Sequence, residues 1–341
     1  MSQRSIRKEE HLALTQMFFN AQKTNSFDQV HLLRPALPES QVNLNAVKTT
    51  WFGKELAAPF FINAMTGGSE KSRQINRQLG EIANKQQIAL ALGSASILTK
   101  EEDQLESFYV AREANPDGLL FANVNPLTPA KAAAKIVKDL QADALQIHLN
   151  VAQEIPMPEG DRDFVWLDRM LEIKEAAGVP VIVKEVGSGL DPVSLQKLQA
   201  AGFSWFDIGG AGGTNFAQIE NSRNPHPMAY LNDCGLPTAL AALLAAPLTK
   251  QLIVSGGVRN PLDVFKGLAL GGKFVGVANH FLHTLLNEGL DGLDEEISRW
   301  KEELTYLFAL YGQGCLPVKQ PYYLDLELKN RFDQLKQYAG K

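Results

Sequence analysis

The stretch LIVSGGVRNPLDVFKGLALGGKFVGVAN, residues 252–279, decides the fold. It opens on an apolar run of strand length, 252–254, and nearly closes on another, 274–277. Both are continuous in hydrophobicity rather than alternating, the pattern of strands buried on both faces of a parallel sheet. Between them Asn260-Pro261 sets an N-cap residue before a proline suited to the first helical position, so a helix starts there. Strand, turn, helix and strand make one repeat of a parallel α/β architecture. The turn carries Gly256 and Gly257, which let backbone N–H groups come close to a ligand. Arg259 follows, and the positive end of the helix points the same way.

The same unit recurs on the N-terminal side. Apolar runs lie at 59–64, 88–92, 119–124, 144–149, 179–184 and 205–208. Thr128-Pro129 and Asp191-Pro192 repeat the cap-and-proline signal, and Gly178 and Gly202 follow helical runs where C-cap glycines belong. Eight strands spaced roughly 25 to 45 residues apart, with helices between, predict a (β/α)8 TIM barrel, with a doubly wound sheet as the alternative topology. The longest interval, 215–250, is expected to hold an inserted loop and a helix over 239–244. One domain is expected: a barrel over 58–280, an N-terminal extension over 1–57 and a C-terminal helical extension over 281–341.

The 341 residues are 45% hydrophobic and 21% charged, enough apolar content for a large core. A net charge of −5 argues against a nucleic-acid or anionic-membrane partner, either of which needs a basic face. Cys234 and Cys315 are too few and too isolated for a disulfide framework or a thiolate metal site. The first dozen residues carry Arg4, Arg7, Lys8, Glu9, Glu10 and His11 with no apolar stretch after them, unlike a secretory signal. The most apolar run, 239–247, falls well short of the ~20 residues of a membrane span. A soluble, cytoplasmic protein is the expectation.

In a barrel, function sits at the C-terminal ends of the strands. Those ends carry Ala64-Met65-Thr66-Gly67-Gly68, Gly93-Ser94-Ala95-Ser96, Asn123, the segment from Gln146 and His148 to Gln153-Glu154, Lys184-Glu185, the glycine-rich run Gly209 to Thr214, Gly256-Gly257-Val258-Arg259, and Ala278-Asn279. Adjacent glycine turns after the last two strands predict a phosphate site, although tight turns alone also call for glycine. Lys184 leaves a buried strand and needs a partner, either Glu185 or an anionic ligand at the mouth. Glu154 is a lone candidate carboxylate for Mg²⁺. Alone, His148 reads as a satisfied core histidine, and Arg7, Lys8 and His11 read as solvated chain.

Taken together, Arg7-Lys8-x-Glu10-His11, 64–68, Gly93-Ser94, Asn123, Gln146-x-His148-x-Asn150-x-x-Gln153-Glu154, Lys184-Glu185-Val186-Gly187, Gly212-Gly213-Thr214 and 255–259 resemble the type 2 isopentenyl-diphosphate isomerase family. The motifs run in that family's order from residue 7 to about 280. The resemblance implies FMN at the barrel mouth, contacted by Ala64, Met65, Thr66, Ser94, Asn123, Lys184, Gly209 and Thr214. Gly257, Val258, Arg259, Ala278 and Asn279 would surround its phosphate end. Arg7, Lys8, His11, Ser94, Ser96, His148 and Gln153 would meet the substrate, and Glu154 would hold Mg²⁺ on the diphosphate. The N-terminal segment would be a lid. The implied reaction is the 1,3 shift that interconverts isopentenyl and dimethylallyl diphosphate. Reduced FMN would serve as acid–base group, NADPH as its reductant, and Lys184, Gln153 and His148 as the catalytic side chains. A homotetramer would follow the family.

Two positions depart from the family pattern: Ser96 stands where an arginine is expected, and Asn215-Phe216 where Ser-Trp is common. Two rival readings remain at this point. A 2-hydroxy-acid oxidase on the same barrel would use a histidine and an arginine in a His-Gly-Gly-Arg-like turn, and the comparable run, 209–214, holds neither. A non-catalytic phosphate-binding barrel would have no use for Gln153-Glu154 beside Lys184.

Overall fold

The computed structural model describes residues 3–20 and 23–339, with side chains from Lys8 onward. Its centre is a closed barrel of eight parallel strands, as the sequence predicts. They are β1 (Phe60–Ile62), β2 (Leu90–Ala91), β3 (Leu120–Val124), β4 (Ala144–Leu149), β5 (Val181–Glu185), β6 (Trp205–Asp207), β7 (Leu252–Ser255) and β8 (Phe274–Val277). Each strand pairs with its successor, and β8 closes on β1 through Val275↔Phe60 and Val277↔Ile62. Both faces are covered, which explains the unbroken apolar runs.

Local signals place several of the helix ends. Asp191 accepts the N–H groups of Val193 and Ser194, and Asn260 accepts that of Asp263, so both cap helices that begin with proline. Gly178 ends its helix in the left-handed region at φ 66°. Thr128 departs from the expectation. The helix runs Ala130–Asp139 with Pro129 at the cap, and the Thr128 hydroxyl lies instead 2.8 Å from Asn125 Oδ1 and 2.9 Å from Ser96 Oγ. Tertiary partners have taken the side chain that would have capped. The interval 215–250 holds helices Phe216–Arg223 and Thr238–Ala245 joined by a loop.

The barrel interior is graded along its axis. A hairpin, Thr49–Trp51 with Lys54–Leu56, plugs the N-terminal end and drives Trp51 inside. Its indole stacks on Phe274 with centroids 3.8 Å apart and meets Phe61 and Phe121 edge-on. Two residues further along six of the strands the inward face turns polar, giving Asn63, Asn123, Gln146, Lys184, Asp207 and Ser255, with His148 two residues beyond Gln146, all buried. Inward residues alternate with outward ones, so this change lies on the axis and faces the mouth. The N-terminal helix, α1 (Gln3–Met17), lies across that mouth. A long helix, Asn279–Leu310, follows β8 and breaks at Gly289, and the ribbon Val30–Leu32 with Tyr322–Leu324 joins the two terminal segments. No helix among the described residues is long and apolar enough to cross a membrane.

Candidate active site

A cavity of about 390 Å³ opens between the strand ends and α1. At its floor, Lys184 is 5% exposed and donates to the carbonyl of Glu185 at 3.0 Å. Of the two partners open to it from sequence, the Glu185 carboxylate is already used. It accepts the N–H groups of Gly187, Ser188 and Gly189, and burial pushes its pKa up to about 7 despite those bonds and the Lys184 charge. The Lys184 ammonium therefore forms no ion pair among the described residues. An unpaired buried cation lining a cavity favours an anionic ligand there.

His148 is the cross-strand neighbour of Lys184. Burial first, then the charges of Lys184 and Lys8, hold its imidazole down to about 3, so the ring is neutral. Its Nδ1 lies 2.7 Å from Asn123 Oδ1, which assigns the proton to Nδ1 and leaves Nε2 as the acceptor nitrogen. Asn123 in turn donates to Gln146 Oε1 at 3.0 Å.

The phosphate-binding expectation rests on loops pressed together. At Gly256 (φ 108°) a Cβ would lie 2.1 Å from Gly210 O, and at Gly213 it would lie 2.7 Å from Gly257 N. Only glycine lets the loops after β6 and β7 approach this closely. Both loops line the cavity beside Val258, Arg259 and Ala278. Two predicted contacts are engaged elsewhere. The Arg259 guanidinium is held by Asp28 (2.6 Å) and Asp263 (2.8 Å), and its backbone N–H goes to Asp263. The Asn279 amide reaches α1, accepting from Gln16 and donating to Thr15 O.

Helix α1 is latched on several sides. Lys8 Nζ donates to Ser94 O at 2.8 Å and sits over the Phe108 ring. His11 Nε2 lies 2.8 Å from Glu220 Oε1, and Glu10 pairs with Arg223. Glu220 is fully buried. Burial alone raises its pKa, but bonds from His11, Gln153 and Arg223 outweigh that and hold it below the ordinary value. Gln153 donates to Glu220 at 2.9 Å, so the orientation of its amide is set by the same carboxylate that meets His11 of α1. Glu154, 7% exposed, accepts from Asn150 Nδ2 and from the Asp161 N–H. No group of three or more His, Cys, Asp or Glu side chains that could hold a metal occurs among the described residues.

This geometry has known relatives. Residues 122–320, more than half the chain, match the family model described as FMN-dependent dehydrogenase. An isopentenyl-diphosphate delta-isomerase from Limosilactobacillus reuteri is 42% identical over 326 residues, covering 93% of each chain. The enzyme of that name from Moorella thermoacetica is 42% identical over 91% of this chain and 90% of its own. The chain belongs to the isopentenyl-diphosphate delta-isomerase family. It is an isomerase on an FMN-type barrel. Among solved structures, a flavocytochrome b2 double mutant with sulfite bound shares the fold at TM-score 0.67 and 18% identity, over 97% of this chain and 82% of that one. A mandelate oxidase mutant with benzaldehyde does so at 0.61 and 14%, over 92% and 90%.

Within this isomerase fold, Ala64, Met65, Thr66, Ser94, Ser96, Asn123, His148, Gln153, Glu154, Lys184, Gly209, Thr214 and Gly257 all line one cavity with Lys8 and His11. The Arg7 side chain lies outside the described residues. Ser96, in place of arginine, serves as a polar hub that accepts the Asn125 N–H at 2.9 Å beside the Ser94 and Thr128 hydroxyls. Phe216 lines the cavity and stands edge-on to His11, an aromatic wall in the tryptophan's place. Sequence reasoning missed Asn63, Asp207, Glu220 and Arg223. The first two follow from inward alternation at the strand ends, a signal that was available. Glu220 and Arg223 sit on a helix of the inserted interval, whose facing partners no local pattern announces.

Proposed function

We propose that this enzyme interconverts isopentenyl and dimethylallyl diphosphate with reduced FMN at the barrel mouth, Mg²⁺ on the diphosphate and NADPH needed only to reduce the flavin. The observation that carries the reading is the buried Lys184 ammonium, without a carboxylate, facing a cavity lined by the glycine turns after β6 and β7. Moving the double bond of an unactivated alkene requires a proton delivered to carbon. His148 is neutral above a pKa of about 3, and the Glu185 carboxylate, though its pKa is raised to about 7, is tied down by three N–H groups.

The residues fit the flavin. The glycine loops after β6 and β7 suit a phosphate that approaches backbone, and Lys184 suits a ring that carries negative charge when reduced. Bound and reduced, FMN supplies at N5 the acid–base group that the side chains lack. The chain supplies position and exclusion of water. Lys184 stabilises the anionic ring, Gln153 is aimed by Glu220, and α1 covers the site. Lys8 and His11 offer cationic or donor groups to the diphosphate, and Glu154 would hold Mg²⁺ against it.

The structural neighbours favour a second reading, oxidation of a 2-hydroxy acid. It lacks its residues here. The loop after β6 has neither histidine nor arginine, and Arg259 is committed to Asp28 and Asp263. Anaerobic incubation with FMN, NADPH, Mg²⁺ and isopentenyl diphosphate, followed by NMR, tests the proposal. Dimethylallyl diphosphate is the expected product, and its absence from a protein that binds FMN overturns the reading.

A further inference from the structure

Asp207 lies at the centre of the polar tier, fully buried, with no direct place in the reaction described above. Donors from three strand ends converge on it. Asn63 Nδ2 donates to Oδ2 at 2.8 Å, while the Ser255 hydroxyl and the Gly209 N–H (3.2 Å) donate to Oδ1. Asn63 Oδ1 then accepts the Ala64 N–H at 2.8 Å and Gln146 Nε2 at 3.3 Å. Room has been cleared for this contact: at Gly276 a Cβ would lie 2.6 Å from Asn63 Nδ2. Lys184 is the cross-strand neighbour of Asp207, yet it bonds the Glu185 carbonyl instead. The carboxylate is spent on strand ends.

We propose that Asp207 is a positioning residue that sets the flavin seat by holding Asn63 and Gly209, without touching the ligand. This rests on the flavin reading above, since Ala64 and Gly209 are its expected contacts. Hydrogen-bond capacity makes the claim sharp. The chain of bonds ends in two backbone donors, Ala64 N–H and Gly209 N–H, and neither can flip. Between them stand two side chains. If both were amides, one donor would face another wherever the amides turned, so one of the pair must be acceptor-only. Apolar residues at 63 and 207 would leave both backbone donors without acceptors.

The test compares wild type, Asp207→Asn, and the swap Asn63→Asp with Asp207→Asn. In the swap, the aspartate at 63 accepts from Ala64 and from the new amide, and that amide's oxygen accepts from Gly209 and Ser255. Every bond is restored with the charge moved from β6 to β1. FMN affinity, the visible spectrum of bound FMN and the melting temperature without flavin are measured for each. Asp207→Asn is expected to weaken FMN binding about tenfold or more and shift the spectrum, the effect of one unsatisfied buried donor. The swap is expected to return affinity to within about threefold of wild type. A swap variant that fails to fold, or that binds FMN no tighter than Asp207→Asn, overturns the proposal. So does a melting loss in Asp207→Asn with affinity and spectrum unchanged, which would make the residue merely structural. Wild type that binds no FMN is a separate result, and it sinks the flavin reading itself.

Discussion

Substituting Gly256 by alanine should separate the two reasons for its glycine. The residue sits at φ 108°, and an added Cβ would lie 2.1 Å from Gly210 O and 2.8 Å from Thr238 Oγ1. Carbon and oxygen approach comfortably to about 3.3 Å, so the loops after β6 and β7 must part by roughly 1 Å. A positive φ with a Cβ costs ~1–2 kcal/mol. Overpacking against rigid backbone adds ~1–3 kcal/mol, giving ~2–5 kcal/mol in all. Gly53 provides the control, since it has φ 83° with nothing within 4 Å of its would-be Cβ. Gly53→Ala should therefore carry only the strain, about 1–2 kcal/mol. It lies at the plugged end of the barrel, so FMN affinity should not change. Denaturant unfolding without flavin and FMN titration read both effects. Gly256→Ala is expected to be the less stable variant and to bind FMN about tenfold more weakly or worse, since each 1.4 kcal/mol of displaced loop is a factor of ten. If Gly256→Ala cost no more than Gly53→Ala, or kept wild-type FMN affinity, the interlocked-loop account of the phosphate end would be refuted.

Burial, with Lys184 and Lys8, depresses His148 from 6.5 to about 3, while the unfolded chain binds that proton throughout the interval. The stability contributed by the neutral ring is therefore complete above 6.5 and declines as pH falls toward 3, which unfolding measurements across the window will show; an NMR titration of His148 near 6.5 would contradict it. Trp51→Ala should lower stability by about 3–5 kcal/mol through lost packing on Phe274, yet leave FMN affinity intact. A variant as stable as wild type would remove the plug from the account. Glu154→Gln should raise the Mg²⁺ concentration for half-maximal activity by about 10–100-fold, and an unchanged requirement takes Glu154 out of the metal site.

The barrel was legible because strands covered on both faces cannot alternate; 144–149 and 274–277 match the structure residue for residue. The N-terminal hairpin was not, since three-residue strands leave no periodicity, and its register is set by Trp51 finding Phe274 inside the barrel. Thr128 shows why local rules fail at a site: its capping hydroxyl was drawn to Ser96 and Asn125. Lys184 was identifiable as a buried cation in need of a partner, but only coordinates show the Glu185 carboxylate occupied by a turn of N–H groups. The resemblance gave the N-terminal segment a task, whereas the partners of α1 at Glu220 and Arg223 are more than two hundred residues away.

The central claim is that flavin serves this chain in proton transfer without net redox change. Counting NADPH oxidised against dimethylallyl diphosphate formed, under strict anaerobiosis with FMN and Mg²⁺ present, tests it most directly. The account expects many turnovers for each NADPH consumed, and none while the flavin stays oxidised. One NADPH consumed per product, or turnover with oxidised flavin, would contradict it.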